Sequence, residues 1–196
     1  MTLRRGGSRE PGVLTLPGVH KRMSTSIRIV PATELESLVP SLVELLRDTV
    51  NGGVPMGFLA PLTPDRAKEY WQSLRSELQS GARVLLAAST DQGLVGSGQL
   101  AFPSSANGRH RAEVQKVFVA GAVRGGGVGR ALMAALHNTA RQHGRTLIHL
   151  NTRRGLAAEG FYKALGYQEA GVLPGWTVGS AGERYDHVTL YQELSE

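Results

Sequence analysis

Val114–Leu136 reads VQKVFVAGAVRGGGVGRALMAAL. Val114, Val117, Phe118 and Val119 are β-branched or aromatic, the composition of a buried strand. Arg124, Gly125, Gly126, Gly127, Val128, Gly129 and Arg130 then lead into a helix. Its apolar face is read from Val128, Ala131, Leu132, Ala135, Leu136 and Ala140, at spacings of three and four. A strand, a glycine loop and a helix start make the layout of an anion site. The first helical N–H groups have no internal partner and lie at the positive end of the helix dipole. Glycines remove the side chains that would hold a phosphate away and permit positive φ. Arg124 and Arg130 add positive charge. A plain flexible connection is the competing account of such a loop.

The loop is not a dinucleotide fingerprint, which would need glycine where Arg130 stands when read from Gly125 and Gly127. It is not a Walker A loop either, because no Lys-Ser/Thr follows. The spacing present is Arg-x-x-Gly-x-Gly, Arg124 through Gly127 to Gly129.

The 196-residue chain is long enough for one domain that buries roughly 70% of its unfolded surface. It has no cysteine, which excludes disulfides, thiolate metal sites and a Cys nucleophile. No apolar run approaches the roughly 20 residues that span a bilayer. The six histidines show no metal-ligand spacing and read as structural. The formal charge is +6, of which five basic residues against Glu10 place +4 before Met23. The remainder is not a nucleic-acid footprint. Residues 1–23 are Arg-, Gly- and Pro-rich without periodicity and read as a disordered basic tail. Residues 24–196 read as the folded domain, with Met23 as the expected natural start.

Ser26 to Val30 alternates as a strand. Pro31 opens a helix through Leu46, with Pro40 as a point of kinking. Asn51 to Leu59 is a loop, and Pro64 and Asp65 start a helix through Tyr70, Trp71, Leu74 and Leu78 that Gly81 stops. Arg83–Ser89 and Leu94–Phe102 form a hairpin around Asp91–Gln92–Gly93. A long strand follows over Arg109–Val119. After the glycine-loop helix come a strand over Thr146–Asn151, a helix over Leu156–Leu165, and strands over Tyr167–Ala170 and Tyr185–Glu193 joined by a Gly-rich connection. The order β-α-α-β-β-β-α-β-α-β-β predicts an α/β fold. Its mixed, mostly antiparallel sheet has about seven strands, helices on both faces and a parallel pair reached by a right-handed crossover.

The glycine spacing resembles the pyrophosphate loop of the GNAT superfamily of N-acetyltransferases, and the element order from Met23 onward is similar to theirs. A second block, Ala157 to Tyr167, resembles the family's A-x-x-x-F-Y-x-x-x-G-F/Y helix. The resemblance implies acetyl-coenzyme A as cofactor. It implies cofactor contacts from Val117, Phe118, Val119, the loop Arg124 to Arg130, and Asn151, with the two strands of the parallel pair splayed around the pantetheine arm. It also puts Tyr162 where family members protonate the departing thiolate. A phenol of pKa near 10 keeps its proton at neutral pH and suits that role. Packing in the core beside Phe161 is the other account of Tyr162. Family members place an acid where Glu113 stands, and amine acetylation needs a base, directly or through water. An ion pair with Arg111 or Lys116 is the alternative. Strand alternation sets Glu113, Gln115 and Val117 on one face, unless a bulge of the kind common in the family intervenes.

Val50–Gly53, Gly57–Phe58, Arg111–Lys116 and Leu173–Gly175 further resemble tabtoxin-resistance acetyltransferases, which acetylate a β-lactam amino acid. Two positions depart from the pattern. Asn151 stands where those enzymes carry an Asp offered as a second base, and Gly155 where many GNAT members have an Asn touching coenzyme A. The first concentrates any base role on Glu113. The acceptor pocket is expected between the loop Asn51 to Leu59 with Phe58, Trp71, and the Gly175–Trp176 region; core packing, the commoner fate of such aromatics, is the alternative. The expectation is a cytoplasmic enzyme of the antibiotic-resistance kind. It would transfer acetyl directly to a small-molecule amine in a ternary complex, with no nucleic-acid or membrane partner and no metal. Family members are often homodimers. The rivals are a protein or peptide N-acetyltransferase and a non-catalytic acyl-coenzyme A-binding module.

Overall fold

Alternating strand residues sort the sheet into two apolar layers. In the computed structural model, which describes residues 24–194, the strands are β1 (Ser26–Ile29), β2 (Arg83–Thr90), β3 (Gly93–Ala101), β4 (Arg111–Val119), β5 (Leu147–Arg153), β6 (Gln168–Val178) and β7 (Arg184–Glu193). The helices are α1 (Leu35–Asn51), α2 (Pro64–Ser73), α3 (Arg75–Ser80), α4 (Val128–Gln142) and α5 (Ala157–Lys163). Val84 and Leu86 of β2 join Leu132, Met133 and Leu136 of α4 in one layer. Leu85 and Ala87 join Leu35, Leu42 and Leu46 of α1 and Trp71 of α2 in the other. Helices therefore cover both faces, as expected. The expected tail over residues 1–23 lies outside the described residues. Among the described residues no helix is long and apolar enough to cross a membrane.

The seven strands run in the order β1-β2-β3-β4-β5-β7-β6. Every neighbouring pair is antiparallel except β4–β5, which is parallel. Antiparallel meander, crossover helix and parallel strand thus follow the order read from the sequence.

Local departures have physical causes. Helix α1 starts at Leu35, because Pro31 to Glu34 closes a turn in which the Glu34 N–H donates to the Pro31 carbonyl. Pro40 sits inside α1 without ending it, and Leu42 and Leu46 beyond it are fully buried. The single helix expected from Pro64 to Leu78 is two, joined at Leu74, whose N–H bonds the Trp71 carbonyl three residues back. The buried stripe of α4 uses Met133 in place of Ala131, which is exposed. The Gly-rich connection expected after Ala170 is instead strand: β6 runs on to Val178. Leu173 pairs with His187 and Thr177 with Tyr185, so Pro174 to Trp176 bulge out of the ladder.

The decisive irregularity lies in β4. Ser97 pairs with Phe118 and Gln99 with Gln115, so three steps on β4 oppose two on β3. The extra residue falls at Lys116, which has φ +48, a left-handed conformation that non-glycine residues adopt at a cost. Ala112 and Val114 face the α4 layer. Strict alternation would send Phe118 there too. The bulge turns it into the α1–α2 layer, while Val117 packs on the α4 side.

Candidate active site

Parallel pairing of β4 with β5 runs only from Arg111↔Leu147 to Glu113↔His149. Beyond that point β4 stays on β3 and β5 stays on β7. A fork opens, and the outward N–H and C=O groups of Val114 to Val119 have no strand partner on that side.

At the fork mouth the glycine loop turns sharply. Gly125 has φ +80 and Gly127 φ +87, and a Cβ built at either meets nothing within 4 Å. Backbone conformation rather than space therefore requires glycine at both, and the cradle is open to a ligand. The start of α4 has no side-chain cap and no acidic residue in its first turn. The N–H groups of Val128, Gly129 and Arg130 accordingly lack intrahelical acceptors. Gly126 uses its N–H on the Val123 carbonyl, and Arg124 Nε donates to the Val119 carbonyl at 3.2 Å, tying loop to strand. Arg130 is exposed beside them.

Helix α5 docks against this helix end. A Cβ at Gly129 would lie 3.5 Å from the Phe161 ring, an ordinary contact. Glu159 organises the start of α5: its carboxylate accepts from the Gly155 N–H at 2.9 Å and pairs with Lys163 at 2.8 Å. Gly155 thus holds the helix entry here. Tyr162 is 8% exposed, edge-on to Phe161 at 5.3 Å and 5.7 Å from Tyr167. Burial alone pushes its phenol up to about 12. The ring is packed in the core against Phe161 and Tyr167, and its proton is firmly held.

The apex of the fork carries Glu113 opposite His149. Glu113 makes no ion pair within 4.0 Å with Arg111 or Lys116. Arg111 Nη1 instead lies 3.4 Å from His149 Nε2. Burial lowers the His149 pKa, against the raising influence of Glu113, and Arg111 lowers it further. His149 was not singled out from the sequence. Its alternation with buried Ile148 and Leu150 is the signal that could have found it. Asn151 lies two residues along, its side-chain oxygen accepting from Thr189 Oγ1 at 2.7 Å.

On the α1–α2 side, aromatic rings run from Phe58 through Tyr70 and Trp71 to Phe118, with successive centroids 5.3, 5.1 and 6.4 Å apart. Trp71 is fully buried and offers no surface to a ligand. Its neighbour Tyr70, which sequence reasoning passed over, is half-buried and meets the Phe58 ring edge-on. Gln99 Nε2 donates to Tyr70 Oη at 3.0 Å, and Arg83 Nη1 donates to the side-chain oxygens of Gln99 and Gln115, both at 2.8 Å. Burial pushes the Tyr70 phenol up to about 12. Lys116 Nζ stands 5.5 Å from the Phe58 ring and 5.4 Å from the Tyr70 ring. Trp176 is 61% exposed on the edge strand β6 and makes no ring contact among the described residues. The β6–β7 turn reaches the loop after α1, where Ser180 Oγ donates to the Ala60 carbonyl at 3.0 Å. Phe58 and Trp71 belong to one aromatic row, and Trp176 stands apart from it.

Solved structures named as N-acetyltransferases share this fold. A ribosomal-protein-alanine N-acetyltransferase from Brucella melitensis is 24% identical, with TM-score 0.71 over 86% of this chain and 99% of that one. A protein provisionally assigned as a phosphinothricin N-acetyltransferase is also 24% identical, with TM-score 0.70 over 88% and 100%. A Salmonella typhimurium protein provisionally assigned as an acetyltransferase, solved with its cofactor acetyl-CoA, is 18% identical, with TM-score 0.67 over 88% and 95%. More narrowly, residues 81–169 match the family model described as an acetyltransferase (GNAT) domain. Over that stretch the sequence is similar to a GNAT acetyltransferase domain, and acetyl-CoA is the cofactor that such enzymes use. The open Gly125–Gly127 cradle, the uncapped α4 start and the unpaired edge of β4 fit that cofactor.

Proposed function

We propose that this protein transfers an acetyl group from acetyl-CoA to the amine of a small, amino-acid-like molecule, the acceptor class that the tabtoxin-resistance likeness implies. The observation that carries the reading is the β4–β5 fork, open beyond Glu113, with glycine-loop amides at its mouth. The amides of Gly125 and of Gly127 to Arg130 hold the pyrophosphate, with Arg130 adding charge and Arg124 bracing the loop. The outward backbone groups of Val117 to Val119 align the pantetheine arm as an added strand and donate to the thioester carbonyl. When bound, acetyl-CoA supplies an activated acyl carbon attached to a good leaving group.

Glu113, directly or through a water molecule, takes the proton that the attacking amine must lose. Tyr162, protonated far above neutral pH by its burial, gives a proton to the leaving sulfur. Asn151 is engaged with Thr189 and, as an amide, adds no second base. The contact of Ser180 with Ala60 closes one side of the acceptor region, which favours a small acceptor over a peptide tail. The two structural relatives at 24% identity are named for acceptors of different kinds, a ribosomal protein and phosphinothricin, so likeness of fold does not choose between them. Acetyl-CoA supply makes the cytoplasm the natural place of action.

Thiol release from acetyl-CoA is to be measured against amino acids, amine antibiotics and polyamines, alongside calorimetric titration with coenzyme A. Micromolar cofactor binding and turnover of a small amine are expected. Absence of cofactor binding would overturn the assignment, and binding without transfer to any amine would leave only a coenzyme A-binding module.

A further inference from the structure

Acyl transfer as described makes no use of Lys116, yet the backbone is distorted to place it. Its φ of +48 is the sole positive value at a non-glycine residue among the described residues. Bulges of this kind re-aim a side chain. Here the ammonium is delivered to the α1–α2 layer, over the Phe58 and Tyr70 rings at 5.5 and 5.4 Å. A Cβ at Gly57 would come within 3.1 Å of Nζ, so the Asn51–Leu59 loop closes down on it. Lys116 is half-buried. No carboxylate lies within 4.0 Å of it among the described residues.

The surrounding charges sharpen the point. Arg83 faces Lys116 with the same sign, but Arg83 is satisfied by Glu77 at 2.8 Å and by the Gln99 and Gln115 oxygens. Glu113 acts on Lys116 through space without pairing with it. An ammonium has three donors and no acceptor, and aromatic faces offset its charge without supplying lone pairs. A half-buried, unpaired cation is costly unless an anion completes it. Glu113, the base of the proposed reaction, belongs to the same strand three residues away.

We infer that Lys116 recognises the anionic group of the acceptor, so that the substrate is an amine that also carries a carboxylate or comparable oxyanion, such as a free amino acid. This deepens the acyl-transfer reading and rests on it. A peptide N-terminus lacks such a group next to its amine, because its carboxyl is already an amide. Burial, and Arg83 after it, lower the Lys116 pKa, while Glu113 raises it. Anion affinity is therefore lost on the alkaline side at a lower pH than for an ordinary lysine. Tyr70, raised by burial to about 12, stays neutral through that change.

The full chain, saturated with coenzyme A, is to be titrated calorimetrically with L-amino acids and with their primary amides. The same pairs are then run as acceptors with acetyl-CoA. Carboxylate members should bind or react at least tenfold better than their amides, with the difference in KM. Lys116→Met should erase that preference, Lys116→Arg should keep part of it, and coenzyme A affinity should stay unchanged in both. Lys116→Gly, which relieves the left-handed backbone, should behave as Lys116→Met and guards against a folding artefact. Equal or better use of the amides by the parent protein, a preference that survives Lys116→Met, or no binding of any carboxylated probe would each overturn the inference. Failure of the acyl-transfer reading looks different: carboxylates bind in a Lys116-dependent way, yet no thiol is released.

Discussion

On the α4 side of the fork, the groups offered to a ligand are main-chain amides from one short stretch, Gly125 and Gly127 to Arg130. On the α1–α2 side they are side-chain atoms from three separate segments: Phe58 from a loop, Tyr70 from α2, and Glu113 and Lys116 from β4. In the proposed reaction the main-chain donors would serve the part common to every acceptor, since an amide cannot vary in chemistry. Side chains gathered from distant segments would serve the part that differs between acceptors. One face is thus generic and the other particular, and β4 belongs to both because its bulge reverses which residues face which layer.

The contrast breaks hardest at Tyr162. Replacing it by Phe keeps the core ring packing and removes the proton donor, so kcat should fall by about 100-fold or more with the KM for acetyl-CoA little changed. Unchanged turnover would strip Tyr162 of its acid role. Glu113→Gln should lower activity too, but most at low pH, where amine deprotonation limits the rate. A pH–rate profile parallel to the parent's would argue against it as base.

A smaller effect is expected on the generic face. Gly127→Val forces a β-branched residue to φ +87, and the strain of a left-handed residue should weaken acetyl-CoA binding by roughly 10- to 100-fold in calorimetry. Discrimination among acceptors should be untouched. A change in acceptor preference would mean that the two faces are not separable.

The smallest effect concerns stability alone. His137 lies 3.1 Å from the Tyr167 hydroxyl, and burial, then Arg141, hold its pKa down at about 4 against an ordinary 6.5. A depressed folded-state pKa means that stability is fully present above about 6.5 and declines as pH falls toward 4. Thermal unfolding followed by circular dichroism should show the midpoint dropping across that window. His137→Phe should flatten the drop. An equal drop in the variant would assign the acid sensitivity to other groups.

Much of the α4 side was legible before any coordinates, because its chemistry is local. Glycine at Gly125 and Gly127 reports a backbone conformation directly, and a helix start presents free amides whatever surrounds it. Strand and helix order was legible for the same reason, as periodicity is a property of neighbours in the chain. The α1–α2 side was legible only in part. Phe58, Glu113 and Trp71 were named as candidates; the structure buries Trp71 completely and leaves its neighbour Tyr70 half-buried against Phe58. Adjacent helical residues point about 100° apart, and only docking against Phe118 decides which is enclosed. Trp176 was assigned to the pocket, and the extension of β6 carried it to an exposed edge.

By itself the sequence determined the order of elements, the glycine cradle and the candidate proton donors, since each follows from residue types a few positions apart. Only the tertiary structure decided where β4 slips by one residue against β3. That slip settles which way Lys116 and Phe118 face, because strand register is set by pairing and packing between segments distant in the chain.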